Sequence, residues 1–200
     1  DEVGCIPVLG LFLHMEDASF SDSHMPPHSV SVVGGVTVNS DGTSGNSAYF
    51  DGTGELVLSE NSDWNFGNDD FTIDFWMKAT DSQCNTNMAI AGNYDGIRGW
   101  FLHLNDAADA ISFWDLSGDT IDSLVDVCDN SWHHVAVVGY GSQNCLYIDG
   151  YQPVCHAISG MVNSTATVSI GRGRRDIGTW MYEGLIDEFR ILKGDRKSVV

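Results

Sequence analysis

Short apolar or alternating runs recur along the chain between clusters of Gly, Asp, Asn and Ser, and no stretch has the 3.6-residue period of a long amphipathic helix. This is the pattern of an antiparallel sandwich or barrel. It predicts strands over residues 9–15, 29–33, 48–50, 54–58, 71–78, 88–93, 99–104, 110–115, 120–127, 132–140, 144–148, 151–156, 167–171 and 181–191. Residues 40–46 (SDGTSGN) and 171–178 (GRGRRDIG, unusually basic) read as loops. No linker and no internal repeat divides the 200 residues, so one domain over 1–200 is expected.

Alternation assigns side chains to faces. Phe71, Ile73, Phe75 and Met77 share one face, as core, and Thr72, Asp74 and Trp76 share the other. By the same count Trp100, Leu102 and Leu104 oppose Phe101, His103 and Asn105, while Ile111 and Phe113 oppose Ser112 and Trp114. If these strands are neighbours, Trp76, Phe101, His103 and Trp114 lie together on the outer, concave face of one sheet. Such aromatics either bind a ligand or are covered by loops or a partner subunit. His133 and His134 are consecutive on a strand, so their side chains diverge and do not clasp one metal; a structural role is expected.

Charge narrows the partners. Asp and Glu number 28 against 9 Lys and Arg, a formal net of -19. A surface this acidic repels phosphate backbones and anionic lipid, so neither nucleic-acid binding nor membrane insertion is expected. Such charge serves solubility, and acidic loops also recruit divalent cations. No apolar run approaches the roughly 20 residues needed to cross a bilayer. The chain begins at Asp1 without Met, which reads as a processed or trimmed product.

Five cysteines occur, none with metal-site spacing. If Asp149, Gly150 and Tyr151 form a hairpin loop, Ile148 faces Gln152 and Cys145 faces Cys155, in range of a cross-strand disulfide. Cys84 and Cys128 fall in loop-like polar segments and can pair, leaving Cys5 odd; five reduced thiols are the alternative. Asn163-Ser164-Thr165 fits a glycosylation acceptor, a short pattern frequent by chance.

Read in order, FDGTGELV, FGNDDFTIDFWMK, GWFLHLN, ISFWDLSG, SWHHVAVVGYG, LYIDG, VSIGR and GLIDEFRILKG closely resemble the laminin G-like jelly-roll branch of the concanavalin A-like lectin/glucanase superfamily, over about residues 9–194. The resemblance implies an all-β, two-sheet antiparallel jelly-roll sandwich. It also implies a recognition module, since members mostly bind carbohydrates, proteins or cell-surface partners. Glycosidase relatives carry carboxylates at alternate positions of one strand, which puts acid and nucleophile on one side. Here Asp74 stands alone on its face and the adjacent Asp187 and Glu188 point apart, so no enzyme activity is expected. A G-x-S-x-G elbow, a catalytic-cysteine signature and a phosphate-cradling glycine loop are also absent from the sequence.

Asp187 shares strand parity with the core residues Phe189 and Ile191, a costly place for an unpaired carboxylate. Loop amides or Arg190 can satisfy it, and so can a cation. In related lectins and glucanases a structural calcium sits where an Asp of the final strand meets backbone near the first strands. Carried over, that implies Ca2+ held by Asp187, Asp17 and the Asp51-Gly52 turn, although the SDSHMPPHSV segment departs from the family's usual spacing.

Two functions compete. The first is a calcium-stabilised glycan-binding module using Trp114, Trp76, His103 and Asn105, whose rings stack on sugar faces and whose polar groups take hydroxyls. The second is a structural or adhesive subunit of a virion or extracellular assembly, binding protein neighbours through the apolar lead at residues 3–13 and the basic tail of Lys193, Arg196 and Lys197. Both place the chain outside the cell or on a particle surface.

Overall fold

The computed structural model describes residues 8–80, 83–84, 86–105, 110–115, 120–151, 153–157, 160–173 and 180–194. The strands are β1 (Val8–Leu13), β2 (Val30–Val33), β3 (Val36–Asn39), β4 (Ser47–Asp51), β5 (Glu55–Leu58), β6 (Phe71–Lys78), β7 (Met88–Gly92), β8 (Trp100–Asn105), β9 (Ala110–Asp115), β10 (Thr120–Asp122), β11 (His133–Tyr140), β12 (Gln143–Ile148), β13 (Val154–Ala157), β14 (Val168–Ile170) and β15 (Glu183–Lys193). A 3-10 turn, Ser62–Trp64, follows β5 and is capped by the Asn61 side chain accepting from the Asp63 amide. Among the described residues no helix is long and apolar enough to cross a membrane.

The strands form two antiparallel sheets, as the sequence pattern predicts. Sheet A runs β13-β12-β11-β6-β15-β4-β3 with β1 also paired to β15, and sheet B runs β10-β9-β8-β7-β14-β5-β2. Alternation does what period 2 requires: along β11, His133, Val135, Val137 and Gly139 are buried, and the residues between them are not. Ile73, Phe75, Val137 and Phe189 of sheet A meet Leu56, Leu102, Phe113 and Ile170 of sheet B in one core, each 0% exposed. Each such side chain contributes about 1.5–3 kcal/mol of burial. Gly139 lies opposite Phe71, whose ring stands where a Cβ would be, so only glycine fits that position of β11.

β15 holds sheet A together. Glu183 to Ile186 pair with β4 on one side, whereas from Phe189 onward β1 takes that place; β6 pairs on the other side from Leu185 to Asp187 and from Arg190 to Lys193. The exchange of neighbours coincides with a bulge between Asp187 and Arg190, where Glu188 adopts φ 51°.

Two disulfides join described residues, Cys84–Cys128 between loops and Cys145–Cys155 within sheet A. Cys145 and Cys155 are direct partners in the β12/β13 ladder, the register that a three-residue loop dictates. Cys5, most of the basic loop 171–178, and Arg196 and Lys197 of the tail lie outside the described residues. Asn163 and Thr165 of the glycosylation triplet are exposed.

Candidate functional site

The outer face of sheet B carries a layer of aromatic rings. Phe101 and Trp114 are register partners on β8 and β9, with ring centroids 5.0 Å apart and edge to face. Tyr94, just beyond β7, packs 5.7 Å from both. Two positions along β8, His103 lies 5.3 Å from the Phe101 ring and 5.6 Å from Trp180. Phe101 and Tyr94 are buried, whereas Trp114, His103, Trp180 and Asn105 are partly exposed. The layer therefore has a packed base and an open rim. Polar groups flank it: Ser112, opposite His103, donates its hydroxyl to Asp122 of the adjacent β10.

Three of the four residues expected to form a binding face, Trp114, His103 and Asn105, thus share one face of sheet B. Trp76 does not join them. Its strand, β6, lies between β11 and β15 in sheet A, and Trp76 packs 5.1 Å from the His134 ring on that sheet's outer face. Alternation fixes which side of a strand a residue occupies, and strand pairing decides which sheet. Tyr94 and Trp180 escape a sequence reading because each sits just outside a strand, beyond the reach of parity.

The outer face of sheet A is built on charge. Arg190 clasps Asp74 with Nε 3.1 Å from both carboxylate oxygens and a second nitrogen 2.7 Å from Oδ1. His134 approaches the same oxygen at 3.8 Å. Burial pushes the Asp74 carboxyl up, yet the hydrogen bonds and charges of His134 and Arg190 outweigh it and hold the group below its ordinary value. His133 points the other way, its Nδ1 2.8 Å from Asp149 and its Nε2 3.0 Å from Asp129. The consecutive histidines diverge and each serves a structural contact.

Asp187 is 0% exposed, but it does not face the core. It pairs with Trp76, whereas Ile186 pairs with the core residue Met77. The extra residue at Glu188 breaks the parity with Phe189, so Asp187 lies on the outer face of sheet A. What buries it is the loop at residues 40–46: Thr43 donates its amide at 2.8 Å and its hydroxyl at 2.7 Å to Oδ2. The Glu188 amide donates to Oδ1 at 2.9 Å. The same loop is tied to the turn after β1, where Asn46 donates its amide to the Glu16 carboxylate at 3.1 Å and its side chain to the Glu16 carbonyl at 2.9 Å.

Asp17 and Asp51 are exposed and turned onto their own turns. Asp17 accepts from the amide and hydroxyl of Ser19, Asp51 from those of Thr53, and these bonds lower both carboxyls. Asp17 adjoins Glu16 and so lies on the Asp187 side. Asp51 pairs with Glu183, four residues along β15, so the Asp51-Gly52 turn stands away from Asp187. For an oxygen-ligated cation the fit is partial. Asp187 is a buried carboxylate with no cationic side chain on it among the described residues, and Thr43 and Glu16 bring further oxygens on one loop and its neighbouring turn.

An antiparallel two-layer sandwich with an aromatic patch on one outer face and acidic turns at the edge of the other sheet defines a jelly-roll domain. A laminin G-like family model described as the concanavalin A-like lectin/glucanases superfamily matches residues 50–198, and the chain belongs to that superfamily. Domain 4 of AbnA, an extracellular arabinanase of Geobacillus stearothermophilus solved with arabinotriose, superposes with TM-score 0.76 at 19% identity, covering 94% of this chain and 93% of that one. The receptor binding domain of botulinum neurotoxin D matches with TM-score 0.71 at 17% identity over 95% of this chain and 50% of that one. That of the C/D mosaic serotype gives 0.73 at 16% over 95% and 49%. The chain thus spans about half the length of the toxin binding domains. No curated protein sequence matches it.

Proposed function

We propose that this chain is a non-catalytic, carbohydrate-recognising module that binds glycans at the aromatic layer of sheet B. The half-exposed Trp114, backed by buried Phe101 and Tyr94, carries the reading: a rigid indole loses little entropy on binding and offers a flat apolar surface to the C–H face of a pyranose or furanose ring. His103 and Asn105 on the same strand face supply hydroxyl partners. The arabinanase domain solved with arabinotriose supports this ligand class.

A non-catalytic role is favoured by Asp74, whose carboxylate is held ionised by Arg190 and so makes a poor proton donor. Calcium would stabilise the module through Asp187, with Thr43 and the Glu16-Asp17 turn as neighbouring oxygens; Asp51 and Gly52 would serve a separate turn. Two disulfides support an oxidising location, outside the cell or on a particle surface.

A glycan array that includes arabino-oligosaccharides, run with calcium, tests the reading. Binding should fall at least about tenfold in Trp114→Ala, the loss of a central aromatic anchor, and persist in Trp76→Ala. An intact protein that binds no glycan above background overturns it.

The alternative is an adhesive or structural subunit, binding surface proteins within a larger assembly. It is favoured by β2 and β3, which expose Val32, Val33 and Val38 and have no outer neighbouring strand among the described residues. Light scattering decides: a mass that stays monomeric at all concentrations removes it.

A further inference from the structure

A second cluster lies on the other side of the N-terminal segment. Asp22 is 7% exposed, and its Oδ1 accepts the amides of Phe12 and His24, each at 2.9 Å. Its Oδ2 accepts the His28 amide at 2.9 Å and faces His28 Nδ1 at 2.8 Å. On the opposite side of the same ring, Nε2 stands 3.1 Å from Asp63 Oδ2. The imidazole is held between the His24 ring, stacked 5.3 Å away, and Trp64, 4.8 Å away. One ligand atom each of Asp22, His24 and His28 lie within 4.8 Å of one another.

A neutral imidazole has a single N–H, yet both nitrogens of His28 face carboxylate oxygens. His28 therefore either carries a second proton, as the same arrangement at His133 does, or has a cation in place of one proton. The His24 ring shows the same economy of donors: Nδ1 is 2.8 Å from the Pro26 carbonyl, which takes its N–H and leaves the lone pair on Nε2. An ion between His28 Nδ1 and Asp22, reached also by His24 Nε2, would leave each ring with its other nitrogen on an oxygen acceptor, Asp63 for His28 and the Pro26 carbonyl for His24, the arrangement that orients metal-bound imidazoles.

We propose that Asp22, His24 and His28 form a site for a divalent transition ion of the zinc type. Asp22 and His28 Nδ1 supply one edge of the coordination, His24 Nε2 closes it, and Asp63 fixes the His28 ring through Nε2–H. Two imidazoles and one carboxylate suit Zn2+ and are poor ligands for Ca2+, so this site is independent of the one at Asp187. Because Asp22 is bonded to β1 and Asp63 lies in the 3-10 turn, the ion would clip residues 22–28 to both.

Calorimetric titration of the chelator-stripped chain with Zn2+, with Ca2+ and Mg2+ as comparisons, should show one Zn2+ bound and neither of the others at this site. The double variant His24→Gln/His28→Gln should lose that binding, His156→Gln should keep it, and Asp63→Asn should weaken it about ten- to hundredfold. Loading the unaltered chain with Co2+ guards against a misfolded variant: intense ligand-field absorption, displaced by Zn2+, is expected. Wild-type protein that takes up no Zn2+, a double variant that binds as the wild type does, or the weak spectrum of an oxygen-only six-coordinate Co2+ each overturn the proposal.

Discussion

Thr43 gives its amide and its hydroxyl to the same oxygen of Asp187, at 2.8 and 2.7 Å, across 144 residues of sequence. An amide at position 187 can keep an acceptor toward Thr43 only by turning its NH2 donor onto the Glu188 amide, itself a donor. Asp187→Asn should therefore cost about 2 kcal/mol and Thr43→Val about 1 kcal/mol in denaturant unfolding. Chelator should lower the melting temperature of the native chain and leave that of Asp187→Asn unmoved; a native melting curve unchanged in excess chelator ends the calcium reading.

Asp74 and Arg190 should respond unequally to removal of the other. Arg190→Met leaves a 3% exposed carboxylate with His134 alone at 3.8 Å, at a cost of about 3 kcal/mol. Asp74→Asn frees a guanidinium whose side chain is already 25% exposed, at a cost nearer 1 kcal/mol. Equal losses in the two variants would show that the pair is not what places charge on this face.

His133 makes stability depend on pH. Burial alone would lower its pKa, but the carboxylates of Asp149 and Asp129 raise it above the ordinary 6.5. A raised folded-state value means that the contribution is complete below 6.5 and disappears as pH rises through the folded value. Unfolding free energies from about pH 6 to about pH 9 should fall in the native chain and flatten in His133→Gln; parallel slopes would show that His133 does not carry the effect.

The disulfides should part in two stages. Cys155 is exposed and Cys145 partly so, whereas Cys84 and Cys128 are buried. Mild reductant should open Cys145–Cys155 first, as mass spectrometry of alkylated peptides would reveal. Replacing Cys84 and Cys128 by alanine should cost about 4 kcal/mol, against about 3 kcal/mol for the other pair, since the sequence separations are 44 and 10. Simultaneous opening would contradict the ordering by exposure.

Much of this architecture is legible in residue order. The bounds of β6 and β9 follow from alternation alone, and the Cys145–Cys155 register from counting outward around one turn. Other features rest on neighbours that a linear reading does not contain. β3 is four residues between a Gly-Gly pair and a polar loop, too short to show a period, and β10 stops at Asp122 because Leu124, 90% exposed, already belongs to a turn. Trp76 has the face parity of Trp114 but a different sheet. Asp187 has the parity of a core residue until the bulge at Glu188 shifts the count by one. The Thr43 loop that covers Asp187, and Tyr94 and Trp180 in the aromatic layer, are brought in by tertiary packing.

The placement of β15 has a consequence for how the protein is made. It is the last described strand in chain order and stands in the middle of its sheet, between β6 and the β4 and β1 ladders. While the ribosome is still producing the polypeptide, β1 and β4 have no central partner, and their hydrophobic sides wait exposed until residues near 193 emerge. That layer therefore closes only after β15 has left the ribosome, and the nascent intermediate is the species on which chaperones and proteases have time to act.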